Sequence, residues 1–206
     1  MAEVETYGTG QVEWTADQAG LRVFYAAHAG DRTSAVSALT ERVSTVESVL
    51  GRDGVEVLDR QLTVHDDWDG EHRSGAQANQ SYALRITDLS ILNDLVADLV
   101  VAEPDNLFGP SWELANHDDA MRQAQHEAVA DATRRAESYV EALGRRVGQL
   151  LRVSDGADNP QPVRFAAEAA VHLSRSASRP DIAGLSLEPQ RVTVTATCTM
   201  AWTITE

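Results

Sequence analysis

The sequence contains no lysine: all 17 basic residues are arginine, set against 32 acidic ones, for a formal net charge of −15. A field of that sign repels phosphate backbones and anionic lipid, so it argues against nucleic-acid and membrane-surface binding. It suits a cationic partner or metal ions. Cysteine is nearly absent too. The single Cys198 excludes an intrachain disulfide and a multi-cysteine zinc site. It falls on the apolar side of an alternating strand pattern and reads as a small buried hydrophobe. A nucleophilic thiol would need a nearby base and some exposure, and the sequence offers neither.

Aromatic residues make up only 5% of the 206 positions, so a core must be built mostly from Val, Leu and Ala. The hydrophobic share of 43% is ordinary for a globular protein and sufficient for such a core. No run approaches the roughly 20 apolar residues of a membrane span. Residues 1–5 carry neither a basic nor an apolar signal region, so the expected location is cytoplasmic, or periplasmic or otherwise extracytoplasmic if a signal has been removed. Gly8-Thr9-Gly10 lacks the further glycine and following helix of a phosphate loop. No Gly-x-Ser-x-Gly elbow and no His-Glu-x-x-His pair occurs. Nothing here signals a cofactor or a catalytic centre, and no tandem repeat is present.

Both ends of the chain read as strands. Residues 3–14 and 19–29 form two strands about a tight turn at Thr15-Ala16-Asp17, and residues 192–204 close the chain in the same β pattern, which suggests one sheet using both termini. The second strand is apolar on both faces and therefore central. Residues 32–50 read as a helix, with Ala35, Leu39, Val43, Val46 and Leu50 on one stripe, Asp31 or Thr33 as cap and Gly51 as stop. Residues 55–65 and 76–87 read as a hairpin of long strands, with Leu62 and Val64 inward and Asp69-Gly70 marking the turn. A short helix follows from Asp88 to about Val101 and cannot pass Pro104. Residues 106–115 form a weaker strand.

The longest helix runs from about Asp118 to Leu143. Ala120, Ala124, Ala128, Ala132 and Ala136 recur every fourth residue, a stripe of small side chains that permits close packing. Asn116 is its expected cap, with Asp131–Arg135 and Glu141–Arg145 as helix-spaced ion pairs. Residues 147–154 make another strand. Residues 155–186 break the pattern; a connection of that length is expected to be mobile or ordered by a partner.

Four segments resemble the SIMPL domain family: Gly8-Thr9-Gly10 with Ala16-Asp17-Gln18-Ala19; Thr40-Glu41-Arg42-Val43; Gln77 to Leu89, ending in Arg85-Ile86-Thr87-Asp88-Leu89; and Ala128 to Gly144. Their order covers essentially the whole chain, read as one domain of one or two lobes. That family includes bacterial periplasmic and outer-membrane immunogenic antigens and a eukaryotic signalling adaptor. The resemblance implies an α+β fold with antiparallel sheets packed on helices, and a tendency to self-associate. It supplies no catalytic residues. Glu103-Pro104-Asp105 replaces the glycine-containing turn expected after the second helix.

The strongest chemical cluster is the hairpin tip, with His65, Asp66, Asp67, Asp69, Glu71 and His72. Four carboxylates and two imidazoles in eight residues suit a divalent cation or small ligand, although the spacing matches no calcium loop and an acidic turn also serves solubility. Trp68 sits in this charged tip and is either a partner anchor or a ring folded back over the hairpin. His117, Asp118, Asp119 and His126 form a second group, in which capping accounts for the aspartates. The expected function is a non-enzymatic, self-associating interaction or scaffold protein, linked through the resemblance to stress response or envelope maintenance. The alternative is metal or small-ligand binding at residues 65–72.

Overall fold

The computed structural model describes residues 2–156, 183–185 and 187–206. Their elements in chain order are β1 (Glu3–Thr15), β2 (Gln18–Ala29), α1 (Arg32–Leu50), β3 (Val55–Asp69), β4 (His72–Ile86), α2 (Leu92–Val101), β5 (Asn106–Glu113), α3 (His117–Ala142), β6 (Arg146–Asp155) and β7 (Arg191–Thr205). The strands form two antiparallel sheets, ordered β1-β7-β6 and β3-β4-β2-β5. The class is α+β, and the two chain ends share a sheet, paired from Glu3↔Thr203 to Thr15↔Arg191. The turn after Thr15 does not make a hairpin: β1 and β2 belong to different sheets.

The chain divides into two compact units. One contains β1, α3, β6 and β7. In β1 the residues Thr6, Gly8, Gly10 and Val12 are buried and alternate with exposed Glu5, Tyr7, Thr9 and Gln11. The five alanines of the α3 stripe and Val140 are buried on the sheet. A side chain at Gly8 would collide with the backbone of Ala128 and Ala132, and one at Gly10 with that of Ala124 and Ala128. Glycine on the strand and alanine on the helix therefore let the two backbones approach closely. The Thr6 hydroxyl donates to the Ala132 carbonyl at 2.7 Å, and the Thr9 amide donates to the Asp131 carboxylate at 3.2 Å. Ala128, Ala132 and Ala136 complete a cluster with Cys198, Met200 and Trp202 of β7.

The other unit contains β2, α1, β3, β4, α2 and β5. As its two-sided pattern required, β2 is internal, between β4 and β5. Ala19, Leu21, Val23, Tyr25 and Ala27 are its buried row. They lie beside Ile86, Leu84, Tyr82 and Ala78 of β4 through the pairs Ala19↔Ile86 to Ala27↔Ala78. The helix α1 packs on this sheet through Ala35, Leu39, Val46, Val49 and Leu50. Asp31 caps α1, its carboxylate accepting from the Ser34 amide at 2.9 Å and the Ser34 hydroxyl at 2.7 Å. These bonds hold the Asp31 carboxyl below its ordinary range. Asp88 caps the turn leading into α2 in the same manner through Ser90.

Several local expectations change. Gly51 ends α1 with φ −84, so the stop uses no left-handed residue. Asn116 holds the cap position of α3 without a side-chain cap bond. Glu141 does not pair with Arg145: the helix ends at Ala142, and Arg145 instead reaches Glu206 at 3.0 Å. Asp131–Arg135 forms as expected, at 3.0 Å. Leu62 shares the α1-side row of β3 with Val64 but is 53% exposed, because β3 is an edge strand. The expected mobile or partner-ordered stretch 155–186 lies mostly outside the described residues.

Candidate functional site

The hairpin tip is built from strand, not loop. β3 and β4 pair until Asp69↔His72, leaving Gly70 and Glu71 as a two-residue turn. Gly70 takes φ 62 at the first turn position, a backbone state that glycine adopts without steric cost. Of the six residues first considered for a cation, His65, Asp66, Asp67 and Asp69 stand on β3, His72 on β4, and only Glu71 in the turn.

Two of their carboxylates, Asp66 and Asp67, meet partners from elsewhere in the chain. Asp66 receives both arms of Arg32 at the start of α1, Nε at 3.1 Å and a terminal nitrogen at 2.9 Å. Arg73 of β4 adds a contact at 3.1 Å. This planar fork is the strong form of a surface pair. Asp67 receives His28 Nδ1 at 3.3 Å, and His65 Nε2 lies 3.9 Å away. The tip is thus tied to the junction of β2 and α1. Spacing along the chain could not reveal His28 or Arg32 as members, since the pairing of β2 with β4 brings His28 there and the start of α1 carries Arg32. Among the described residues, no group of three or more His, Cys, Asp or Glu is arranged to hold a metal ion.

Trp68 is 63% exposed at this tip. The other tryptophans behave as structural residues: Trp112 and Trp202 are buried and Trp14 is half-buried. His117, Asp118, Asp119 and His126 are all exposed. Arg122 pairs with Asp119, leaving the group an ordinary first turn. Cys198 is buried as expected; burial pushes its thiol pKa up, away from nucleophilic use.

A feature that no motif announced is the contrast between sheet edges. The β1 edge displays Glu3, Glu5 and Glu13, and two of these carboxylates are ion-paired, Glu5 with Arg152 and Glu13 with Arg191. At the opposite edge, β6 exposes Leu150, Leu151 and Val153 at 44, 47 and 52%. Charge blunts an open strand edge, whereas aliphatic side chains invite pairing.

In the other unit, Arg42 of α1 braces the turn after α2. Its guanidinium donates to the Ala26 carbonyl, to both oxygens of Asp105 and to the Glu103 carbonyl at 3.2 Å. Asp105 also accepts from the Ala26 amide at 2.6 Å. Glu103 sits at φ 50, so this brace holds a turn that would ordinarily take glycine. Tyr25 and Tyr82 meet edge to face beneath it, and burial raises both phenol pKa values. The sheet face opposite α1 carries Gln77, Asn79, Ser81 and Arg85 of β4 beside Phe24, Ala26 and His28 of β2. A recess of about 400 Å³ opens over Ala26 on that face.

No helix among the described residues is long and apolar enough to cross a membrane. No curated protein matches the chain. The profile of the SIMPL family, described as a protein of unknown function (DUF541), matches residues 4–202. The chain belongs to the SIMPL family.

Proposed function

We propose that this SIMPL-family chain is a non-enzymatic, self-associating scaffold whose principal contact is the β6 edge. The observation that carries the reading is the exposed aliphatic run Leu150, Leu151 and Val153 on a ten-residue strand that has no outer neighbour among the described residues. Pairing that edge with a second copy satisfies its outward backbone groups and removes three large apolar side chains from water, the usual logic of strand addition. Arg146 and Asp155 lie on the same strand and Arg152 is paired with Glu5, so the strand is close to neutral within an acidic chain, which lowers the electrostatic cost of bringing two copies together. Trp68 is the anchor for a second contact, with a protein partner. A role in stress response or envelope maintenance follows the family resemblance.

Absolute mass by size exclusion with light scattering tests the reading. The full chain is expected as a defined oligomer, and Leu150→Asp with Val153→Asp as a monomer with unchanged circular dichroism. A monomeric parent protein, or an oligomer indifferent to both substitutions, would sink it. A clean monomer whose capture of a partner depends on Trp68 would transfer the role to the hairpin tip.

The runner-up is divalent-cation binding at that tip, and the convergence of His28 and His65 on Asp67 speaks for it. The engagement of Asp66 by two arginines speaks against its use as a ligand. Calorimetry with calcium, magnesium, manganese and zinc decides: flat titrations remove the idea, and binding lost in Asp67→Ala promotes it.

A further inference from the structure

We propose that the recess over Ala26 is a binding site for a neutral polyhydroxylated ring of monosaccharide size. Along β2 the outward row runs Phe24, Ala26, His28, so a methyl group lies between two large side chains and leaves a depression. Asn79 of β4 is the partner of Ala26, and Gln77 that of His28. On the other side Asn106 of β5 is the partner of Phe24. A small floor on a central strand is thus walled by three carboxamides contributed by two neighbouring strands.

The polar chemistry of those walls is specific. Gln77 Nε2 donates to Asn79 Oδ1 at 2.9 Å. Among the described residues this leaves the Gln77 side-chain carbonyl and the Asn79 amide hydrogens as an acceptor and a donor on two side chains that line the recess. A sugar hydroxyl both donates and accepts, so vicinal hydroxyls match such a pair, whereas a purely anionic or purely cationic ligand does not. The adjacent Asp105 is not a free charge. Its carboxylate is already bound by Arg42 and the Ala26 amide, which makes that wall electrically neutral.

The aromatic component is present too. Phe24 and Phe108 meet edge to face, their centroids 5.7 Å apart and their planes at 85°. Phe108 is 49% exposed at the rim. A half-exposed aromatic side chain held rigid by a second ring provides an apolar surface for the C–H face of a pyranose. The volume falls within the lower range of small-ligand sites. An aromatic platform, amides that donate and accept, and local neutrality within an acidic protein are together the requirements of a saccharide subsite.

Saturation-transfer NMR on the full chain tests this with methyl glucoside, methyl galactoside and N-acetylglucosamine as probes. At least one pyranose is expected to receive saturation, with weak affinity. Ala26→Leu fills the depression without removing a hydrogen bond and should abolish the transfer. Asn79→Ala removes one amide and should weaken binding roughly tenfold. Both variants point outward, and an unchanged amide spectrum elsewhere establishes that each is folded; should Ala26→Leu not fold, Asn79→Ala decides alone. Absence of transfer to all three sugars, or transfer that persists unchanged in the folded variants, overturns the proposal. Oligomer mass does not enter the readout, so its failure is distinct from failure of the scaffold reading.

Discussion

The two units solve the same problem, a helix on an antiparallel sheet, with opposite materials. On the sheet that holds both chain ends, α3 offers an alanine every fourth residue and β1 answers with Gly8 and Gly10. In the other unit the buried side chains are large: Val46 of α1, Leu92, Leu95 and Leu99 of α2, and Val23, Tyr25, Leu84 and Ile86 of the sheet, all nearly or fully inaccessible. The first contact is between backbones, with small side chains as spacers. The second is an interlock of large side chains. The contrast teaches that few aromatics need not mean a weak core, since close backbone approach recovers dispersion contacts that large side chains would otherwise provide.

The contrast implies different vulnerabilities. The largest effect should come from adding atoms to the close-packed contact. Gly10→Val drives its side chain into the Ala124 carbonyl and Ala128 amide of α3, and is expected to cost about 4 kcal/mol or prevent folding of that unit. Because the obstacle is backbone, adding Ala128→Gly should not rescue it. Urea denaturation followed at the tryptophans checks this, and rescue by Ala128→Gly would refute the backbone contact.

Removing atoms should matter most in the other unit. Leu84→Ala leaves a cavity beneath α1 and should cost about 3 kcal/mol by the same measurement. If Leu84→Ala proves mild and an added methyl there is damaging, the two cores are alike after all.

The smallest effect concerns the cap of α1, which sharpens the comparison because α3 lacks a side-chain cap. The Asp31 carboxyl is held below its ordinary 3.8, chiefly by the Ser34 amide. A lowered folded-state value means that its contribution is fully present above the unfolded value and is lost as pH falls through the folded one. Asp31→Ser keeps a capping oxygen without the charge, and should flatten the decline in α1 stability below about pH 4. Hydrogen exchange at α1 amides across that range, in the parent protein and in Asp31→Ser, reads it. An identical acid response in both proteins would mean that the Asp31 charge is not the source.

How much was legible follows from the range of each interaction. The α3 boundaries, the alanine stripe, the Asp31 cap and the Asp69-Gly70 turn rest on contacts within a few residues, and pattern reveals them directly. The hairpin tip was visible as a run of acids and imidazoles, but its character was not. Arg32 lies 34 residues from Asp66, and His28 lies 39 from Asp67. Arg32 neutralises Asp66, and His28 hydrogen-bonds Asp67, two carboxylates that in sequence looked available to a cation. The Glu141–Arg145 expectation failed because the helix stopped at Ala142, and a spacing rule holds only inside the helix.

By itself, then, the sequence determined the α+β class, the shared sheet of the two termini, the buried face of α3 and the membership of the SIMPL family. Local periodicity and capping are encoded residue by residue, which is why they can be read without coordinates. Only the tertiary structure decided which strands stand at an edge, that Leu150, Leu151 and Val153 are left uncovered while the glutamates of β1 guard the opposite side, and that Ala26 lies at the floor of a recess walled by amides from other strands. Those properties belong to strand order and register, and register is fixed by non-local pairing that no single segment contains.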